Sequence, residues 1–274
     1  MTMAVQLKDN LGSADNGRAK SPAIWGDCPV LSILDGSVAG MILDDDFCQG
    51  GLLTSPSTSA ALVGMPYSGF GSSGATVTYS DEIGGGITLS ETTDNEAASI
   101  FSLSHCFQLG LTKGPFWFEA RIKPSLTATT EQGMFIGLHD STAKSVTVPL
   151  GAAAGAMSDA NYVGFHKLDT DLTSIKTVYK ANTVTGVTLE TCTSALTLAT
   201  YVKLGFKKDA EGLLSFYIDG LKQGTTYQIL EDAPVLDTAF PCDVTMAPIL
   251  AIMLGAAASD NTMIMDWWRC VQLY

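Results

Sequence analysis

The chain has 274 residues, 46% of them hydrophobic and 16% charged, with 15 Lys+Arg against 28 Asp+Glu for a net charge of -13. A surface this acidic, with no basic cluster to offset it, repels phosphate backbones and excludes nucleic-acid binding. The longest apolar stretch, Met246 to Ala258, is 13 residues long, short of the roughly 20 that span a bilayer, so no membrane partner is expected.

Residues 1–40 read as an extended N-terminal arm. Asp9 to Gly17 is polar and turn-rich, and no helical or strand period persists through the segment. Met1 to Asp9 lacks the apolar core of a secretory signal. The six cysteines, Cys28, Cys48, Cys106, Cys192, Cys242 and Cys270, show no ligand-knuckle spacing and are expected to be free thiols. Ordering such an arm costs about 1–2 kcal/mol per residue in backbone entropy. Its large apolar residues cluster mainly after residue 23 (Ile24, Trp25, Val30, Leu31, Ile33 and Leu34), and each contributes about 1.5–3 kcal/mol when fully buried. That deficit calls for support from the chain's own body or from a neighbour. The expectation is docking on another chain, with Leu7, Leu11, Trp25 and Trp117 as contact residues and the first twenty residues most dependent on the partner.

Residues 41–274 read as one β domain that opens at Met41–Phe47. Short strand candidates recur with turn signals between them: 75–80, 86–90, 99–103, 116–123, 133–139, 162–167, 176–180, 200–207, 213–219, 246–254 and 262–273. Phe116, Phe118, Ala120 and Ile122 alternate with Trp117, Glu119, Arg121 and Lys123, the period of a strand with one face in the core. Leu214, Phe216 and Ile218 alternate likewise, and Asp219-Gly220 supplies the positive-φ pair of a tight hairpin leading to a strand from Leu221 to Tyr227. Trp267 and Trp268 must face opposite ways, so one is expected in the core and the other beneath the arm. No amphipathic helix longer than two turns and no internal repeat is visible, and Gly151 to Ala156 reads as a loop. The pattern is all-β: two packed antiparallel sheets.

Four stretches carry a family resemblance. The hairpin run Leu214-Ser215-Phe216-Tyr217-Ile218-Asp219-Gly220 resembles that of concanavalin A-like (laminin G-like) sandwiches. Leu43-Asp44-Asp45-Asp46-Phe47 with Gly50-Gly51 resembles the opening of such domains in tailed-phage virion proteins. Phe118 to Pro124 (FEARIKP) is similar to a strand shared by laminin G-like and glucanase-like sandwiches, and Asp266 to Gln272 to the closing strand of laminarinase-type glucanases. The resemblance implies a two-sheet antiparallel jelly roll over 41–274.

The scaffold serves lectins, glycanases and structural proteins alike, so function has to come from particular residues. Laminarinase-type enzymes carry Glu-x-Asp-x-Glu on one strand, which turns all three carboxylates to one face for retaining hydrolysis. The nearest set here, Glu91, Asp94 and Glu96, has the wrong spacing. These three are expected not to share a cleft, and the chain is expected not to be an enzyme. Asp44-Asp45-Asp46 on a strand would point to both faces, and Asp169-Thr170-Asp171 lacks the Gly and Glu of an EF-hand loop. Both read as solvated charge ahead of calcium ligands. His105, His139 and His166 are too scattered for zinc, and no cofactor is expected. Adjacent His105 and Cys106 would face opposite ways, and the Gly-rich segments at 69–74 and 84–86 lead into no helix that would cradle phosphate. The expected role is a capsid decoration (cement) protein on the virion exterior, assembled in the host cytoplasm. Its expected partners are the major capsid protein and sister copies, a closed trimer among the options. A carbohydrate-binding module of a tail fibre or spike is the alternative, with surface aromatics as its stacking groups, and a laminarinase-like glycosidase ranks behind both.

Overall fold

The computed structural model describes residues 17–48, 60–61, 67–72, 74–82, 84–92, 96–110, 113–124, 132–140, 149–151, 154–171, 173–185, 187–228, 239–242, 244–255 and 261–274. They form two eight-stranded antiparallel sheets packed face to face. Sheet one holds β1 (Gly40–Asp45), β4 (Thr76–Tyr79), β5 (Ile87–Glu91), β7 (Phe116–Pro124), β12 (Val202–Lys208), β13 (Leu213–Ile218), β14 (Leu221–Gln228) and β16 (Asn261–Leu273). Sheet two holds β2 (Ala60–Ala61), β3 (Tyr67–Gly71), β6 (Ala97–Ser102), β8 (Gln132–His139), β9 (Tyr162–Lys167), β10 (Ser174–Lys180), β11 (Val187–Ala195) and β15 (Ala247–Leu254). The spatial orders are β14-β13-β12-β7-β16-β5-β4 and β11-β10-β9-β8-β15-β6-β3-β2. β16 is an inner strand of sheet one with three partners. One of its edges pairs with β7, and the other pairs first with β5, at Asn261 to Met265, and then with β1, at Trp268 to Leu273.

The core lies between the sheets and follows the alternation. Phe116, Phe118, Ala120 and Ile122 of β7 and Leu214, Phe216 and Ile218 of β13 face inward and are buried. Phe206 stacks on Phe118 with ring centroids 5.0 Å apart, and Phe216 meets Phe165 of the opposite sheet edge to face. Trp268 faces the core against Phe47 and Tyr67. The β13–β14 hairpin turns at Asp219 (φ 51°) and Gly220 (φ 76°), a left-handed pair that fits the right-handed twist of the strands. All six cysteines are free thiols.

Residues 17–39 depart from the extended arm of the sequence reading. They contain two short helices, α1 (Pro22–Trp25) and α2 (Val30–Leu34), and they lie across the outer face of sheet one. Pro22 opens α1 at a position where its missing N–H costs nothing. Ile24 is completely buried.

The outer face of sheet two is also covered, but differently. Phe135, Tyr162, Val178, Ile249, Ala251 and Met253 pack there under Leu150, Ala154 and Ala160 of the segment that precedes β9.

Candidate functional site

The polar residues of the recognisable strands converge on the outer face of sheet one. From β7 come Trp117, Glu119, Arg121 and Lys123, set outward by alternation with the core residues. From β16 come Asp266, Trp267 and Arg269, with the buried apolar Val271 beside them. The β16–β7 register slips between Met265 and Trp267, so Asp266 is an extra residue. This bulge aims Asp266 and Trp267 to the same side.

The N-terminal segment docks on this plate through charge and hydrogen bonds. The Glu119 carboxylate is wholly buried and accepts from the Ser21 amide (3.0 Å) and the Trp25 indole N–H (2.7 Å). Asp27 accepts from the Trp117 indole N–H (2.9 Å) and pairs with Lys207 (2.9 Å). Burial acts to raise the Asp27 pKa, but these hydrogen bonds outweigh it and hold the carboxyl below its ordinary value. Lys203 donates to the Ala19 carbonyl (3.1 Å). Asp266 is paired with Arg121 and, at 3.1 Å, with Arg18. Burial pushes its carboxyl up, against the pull of both arginines and Lys20. Arg121 also lies over the Tyr201 ring, 3.6 Å from the centroid, and Lys20 over Trp267 at 4.5 Å. Ile24 fits because position 205 is glycine. A Cβ there would stand 2.5 Å from Ile24 Cδ1 and 2.7 Å from the Phe118 carbonyl oxygen.

Of the four expected contact residues, Leu7 and Leu11 lie outside the described residues. Trp25 and Trp117 are engaged within the chain itself. Trp117, expected to face a partner, is almost fully buried under the N-terminal segment. The physical reason is that Asp27 and Glu119 give both indoles an acceptor inside one molecule.

Most carboxylates of the acidic runs have partners inside the chain. Asp44 pairs with Arg269 and, at 3.7 Å, with Lys20, while Asp45 accepts from the Phe47 amide (2.7 Å) and the Tyr67 hydroxyl (2.8 Å). Asp46 accepts from the Cys48 amide at 3.2 Å, and Asp171 pairs with Lys176. His139 and His166 are buried on the outer face of sheet two. Burial lowers their pKa values to about 3 and about 4. No group of three or more His, Cys, Asp or Glu among the described residues stands ready to hold a metal ion.

Asp94 lies outside the described residues, and Glu91 and Glu96 need a correction. Strand alternation separates them on paper, yet both are buried and close enough for the Glu96 charge to add to the burial that raises Glu91 well above the usual carboxylate range. The chain between them crosses from β5 in sheet one to β6 in sheet two, so alternation does not govern it. A shallow hollow of about 230 Å³ beside the N-terminal segment is lined by Asp27, Trp117, Lys207, Lys208 and Asp209, among others.

No family model matches the chain, and no curated protein matches it. Solved structures do. A protein of unknown function from Shewanella oneidensis MR-1 superposes with a TM-score of 0.53 at 13% identity, over 89% of this chain and 94% of that one. The carbohydrate recognition domain of Emp46p in its potassium-bound form gives 0.52 at 12% identity, over 75% and 88%. A family 16 endo-glucanase from Bacteroides ovatus gives 0.52 at 12%, over 82% and 98%. The fold is a concanavalin A-like jelly roll. At these identities the likeness carries the architecture and no chemistry.

Proposed function

We propose that the chain is a non-catalytic structural module of a tailed-phage virion, a decoration protein on the outer capsid shell that contacts the major capsid protein and sister copies. One observation carries the reading: the chain's own residues cover the middle of the outer face of each sheet. The N-terminal segment lies over β7, β12, β13 and β16 of sheet one, and the segment before β9 lies over β8, β9, β10 and β15 of sheet two. Small-molecule sites are concave and open. A sandwich covered on both faces offers a partner its edges, its end loops and the outside of the docked segment, where Leu31, Leu34, Val38 and Tyr274 are exposed. The phage setting is supported by the resemblance of the Asp44-Asp45-Asp46-Phe47 opening, and the net charge of -13 suits a surface outside a DNA-filled shell. Particles of the encoding phage, purified and imaged with the chain tagged, test it. The chain is expected at high copy on the capsid exterior; its absence from particles contradicts the reading.

A carbohydrate-binding module is the second reading. It is favoured by the company the fold keeps, a carbohydrate recognition domain and an endo-glucanase, and by the hollow where Trp117 adjoins Asp27 and Lys207. A glycan array on the purified chain decides it: saturable binding weakened by Asp27→Ala supports a glycan site there, and no binding leaves the structural reading alone.

A further inference from the structure

Four buried polar side chains stand on the facing inner surfaces of the two sheets, at one end of the core. On sheet one, Glu91 continues the inward row of Ile87 and Leu89, and Asn261 that of Met263 and Met265. Asn261 and Glu91 are direct cross-strand partners. On sheet two, Gln132 continues the inward row of Met134 and Ile136, and Glu96 that of Ala98 and Ile100. Leu254 lies between these two: it pairs with Gln132 and donates its amide to the Glu96 carbonyl at 2.9 Å. The amides of Ala98 and Leu254 also face the Glu91 carboxylate, which ties the two rows together across the core.

The exposures are 0% for Asn261, 1% for Glu91 and Gln132, and 6% for Glu96. Glu96 is partnered, accepting from the Thr92 amide at 2.8 Å and the Thr92 hydroxyl at 3.2 Å. Glu91 has the Ala98 and Leu254 amides before its carboxylate, whereas neither polar atom of the Gln132 amide or of the Asn261 amide has a partner. Buried polar atoms are seldom left so, because each loses its hydration without compensation.

We infer that this end of the core is a binding site for a hard divalent cation, calcium, held by the carboxylates of Glu91 and Glu96 and the side-chain carbonyl oxygens of Gln132 and Asn261. The donors are all oxygens, the set calcium takes, with water completing the shell. A divalent ion cancels the charge of the two carboxylates and gives the orphaned oxygens a partner. The buried cation nearby does not do this work. Lys167 donates to the Gln132 and Leu168 backbone carbonyls, at 2.6 and 3.2 Å, and the acids acting on it are Asp169 and Asp171.

The test uses the full chain stripped with a chelator, then titrated with calcium chloride by calorimetry and thermal melting. One ion per chain is expected, with a dissociation constant of about 10⁻⁴–10⁻³ M for a site with two carboxylates. At tenfold excess over that constant the melting temperature should rise by about 3–5 °C. Glu91→Gln should weaken binding at least tenfold, and Asn261→Asp, which adds a carboxylate, should tighten it by a similar factor (estimates of order ten from ligand charge count). Absence of both heat and shift at about 10 mM calcium, well above that range, overturns the site and leaves a carboxyl pair that shares a proton. Undiminished binding by Glu91→Gln also overturns it. Should that variant not fold, unchanged affinity in Asn261→Asp does the same.

Discussion

The two outer faces of this sandwich are covered in different ways: both covers carry an apolar patch, and that of sheet one adds buried ion pairs and hydrogen bonds. On sheet one the cover is the N-terminal segment, held by buried carboxylates: Glu119 to Ser21 and Trp25, Asp266 to Arg18 and Arg121, with Ile24 the fully buried apolar anchor. On sheet two the cover is apolar, with Leu150, Ala154 and Ala160 over Phe135, Tyr162, Ile249 and Met253. Apolar packing is tolerant, because area removed from water is non-directional. A buried ionic cover is directional and fails sharply, because removing one partner strands the other charge away from water. The polar cover therefore specifies one docking geometry for the N-terminal segment, and the apolar one mainly adds stability.

Substitutions on each face test that contrast. Arg121→Met leaves Asp266 with Arg18 alone and should cost about 3–5 kcal/mol in urea unfolding. A loss below about 1 kcal/mol, the scale of an exposed pair, would mean that the pair is solvated and the contrast false. Gly205→Ala should cost about 1–3 kcal/mol by overpacking, with faster exchange confined to residues 21–28, since the new methyl meets Ile24 and the Phe118 carbonyl.

Sheet two should be the acid-sensitive face. His139 and His166 have folded pKa values near 3 and 4, below the ordinary 6.5. The unfolded chain thus binds more protons between those values and 6.5, and stability falls as pH drops through that window. Between pH 7 and pH 5 each histidine should remove about 2 kcal/mol. Glu91 runs the other way, because its raised folded pKa favours the folded state as pH falls toward the unfolded value. The measurement is therefore the difference between the chain and His166→Gln, which should lose about 2 kcal/mol less over that pH range. Equal losses would place His166 in water. The smallest effect should be Ile249→Val, at about 0.5–1.5 kcal/mol, measured by the same unfolding experiment.

Legibility in the sequence followed the same division. Strands with one face in the core announce themselves, because core residues recur every second position: β7, β8, β9, β12, β13, β15 and β16 are all found within two residues of their ends. β3 gives no such signal because Tyr67-Ser68-Gly69-Phe70-Gly71 carries two glycines where side chains would mark the period, and β11 gives none because Val187 to Ala195 is rich in threonine and sits at a sheet edge. The outward residues of β7 and β16 were legible as polar and aromatic, but not their partners. Nothing local shows that Glu119 receives Ser21 and Trp25 across 98 and 94 residues. Few apolar residues make the segment read as an arm in need of a partner; over residues 17–39 an apolar patch of Ile24, Trp25, Cys28, Val30 and Ile33 is joined by buried ion pairs and hydrogen bonds to sheet one, which a count of apolar side chains does not register. The meeting of Glu91 and Glu96 was hidden for a similar reason, since strand alternation stops where the chain crosses between sheets.

Hydrogen exchange on the full chain, resolved to single amides, tests the central claim most directly. The amides of Ser21, Ile24 and Trp25 are bonded to Glu119 and to the Ser21 carbonyl. If the N-terminal segment is an integral cover of sheet one, these amides exchange only on global unfolding, as slowly as those of β7 and β16. If they exchange at the rate of an open loop while β7 and β16 stay protected, the segment is a detachable arm, sheet one has a free face, and the account is wrong.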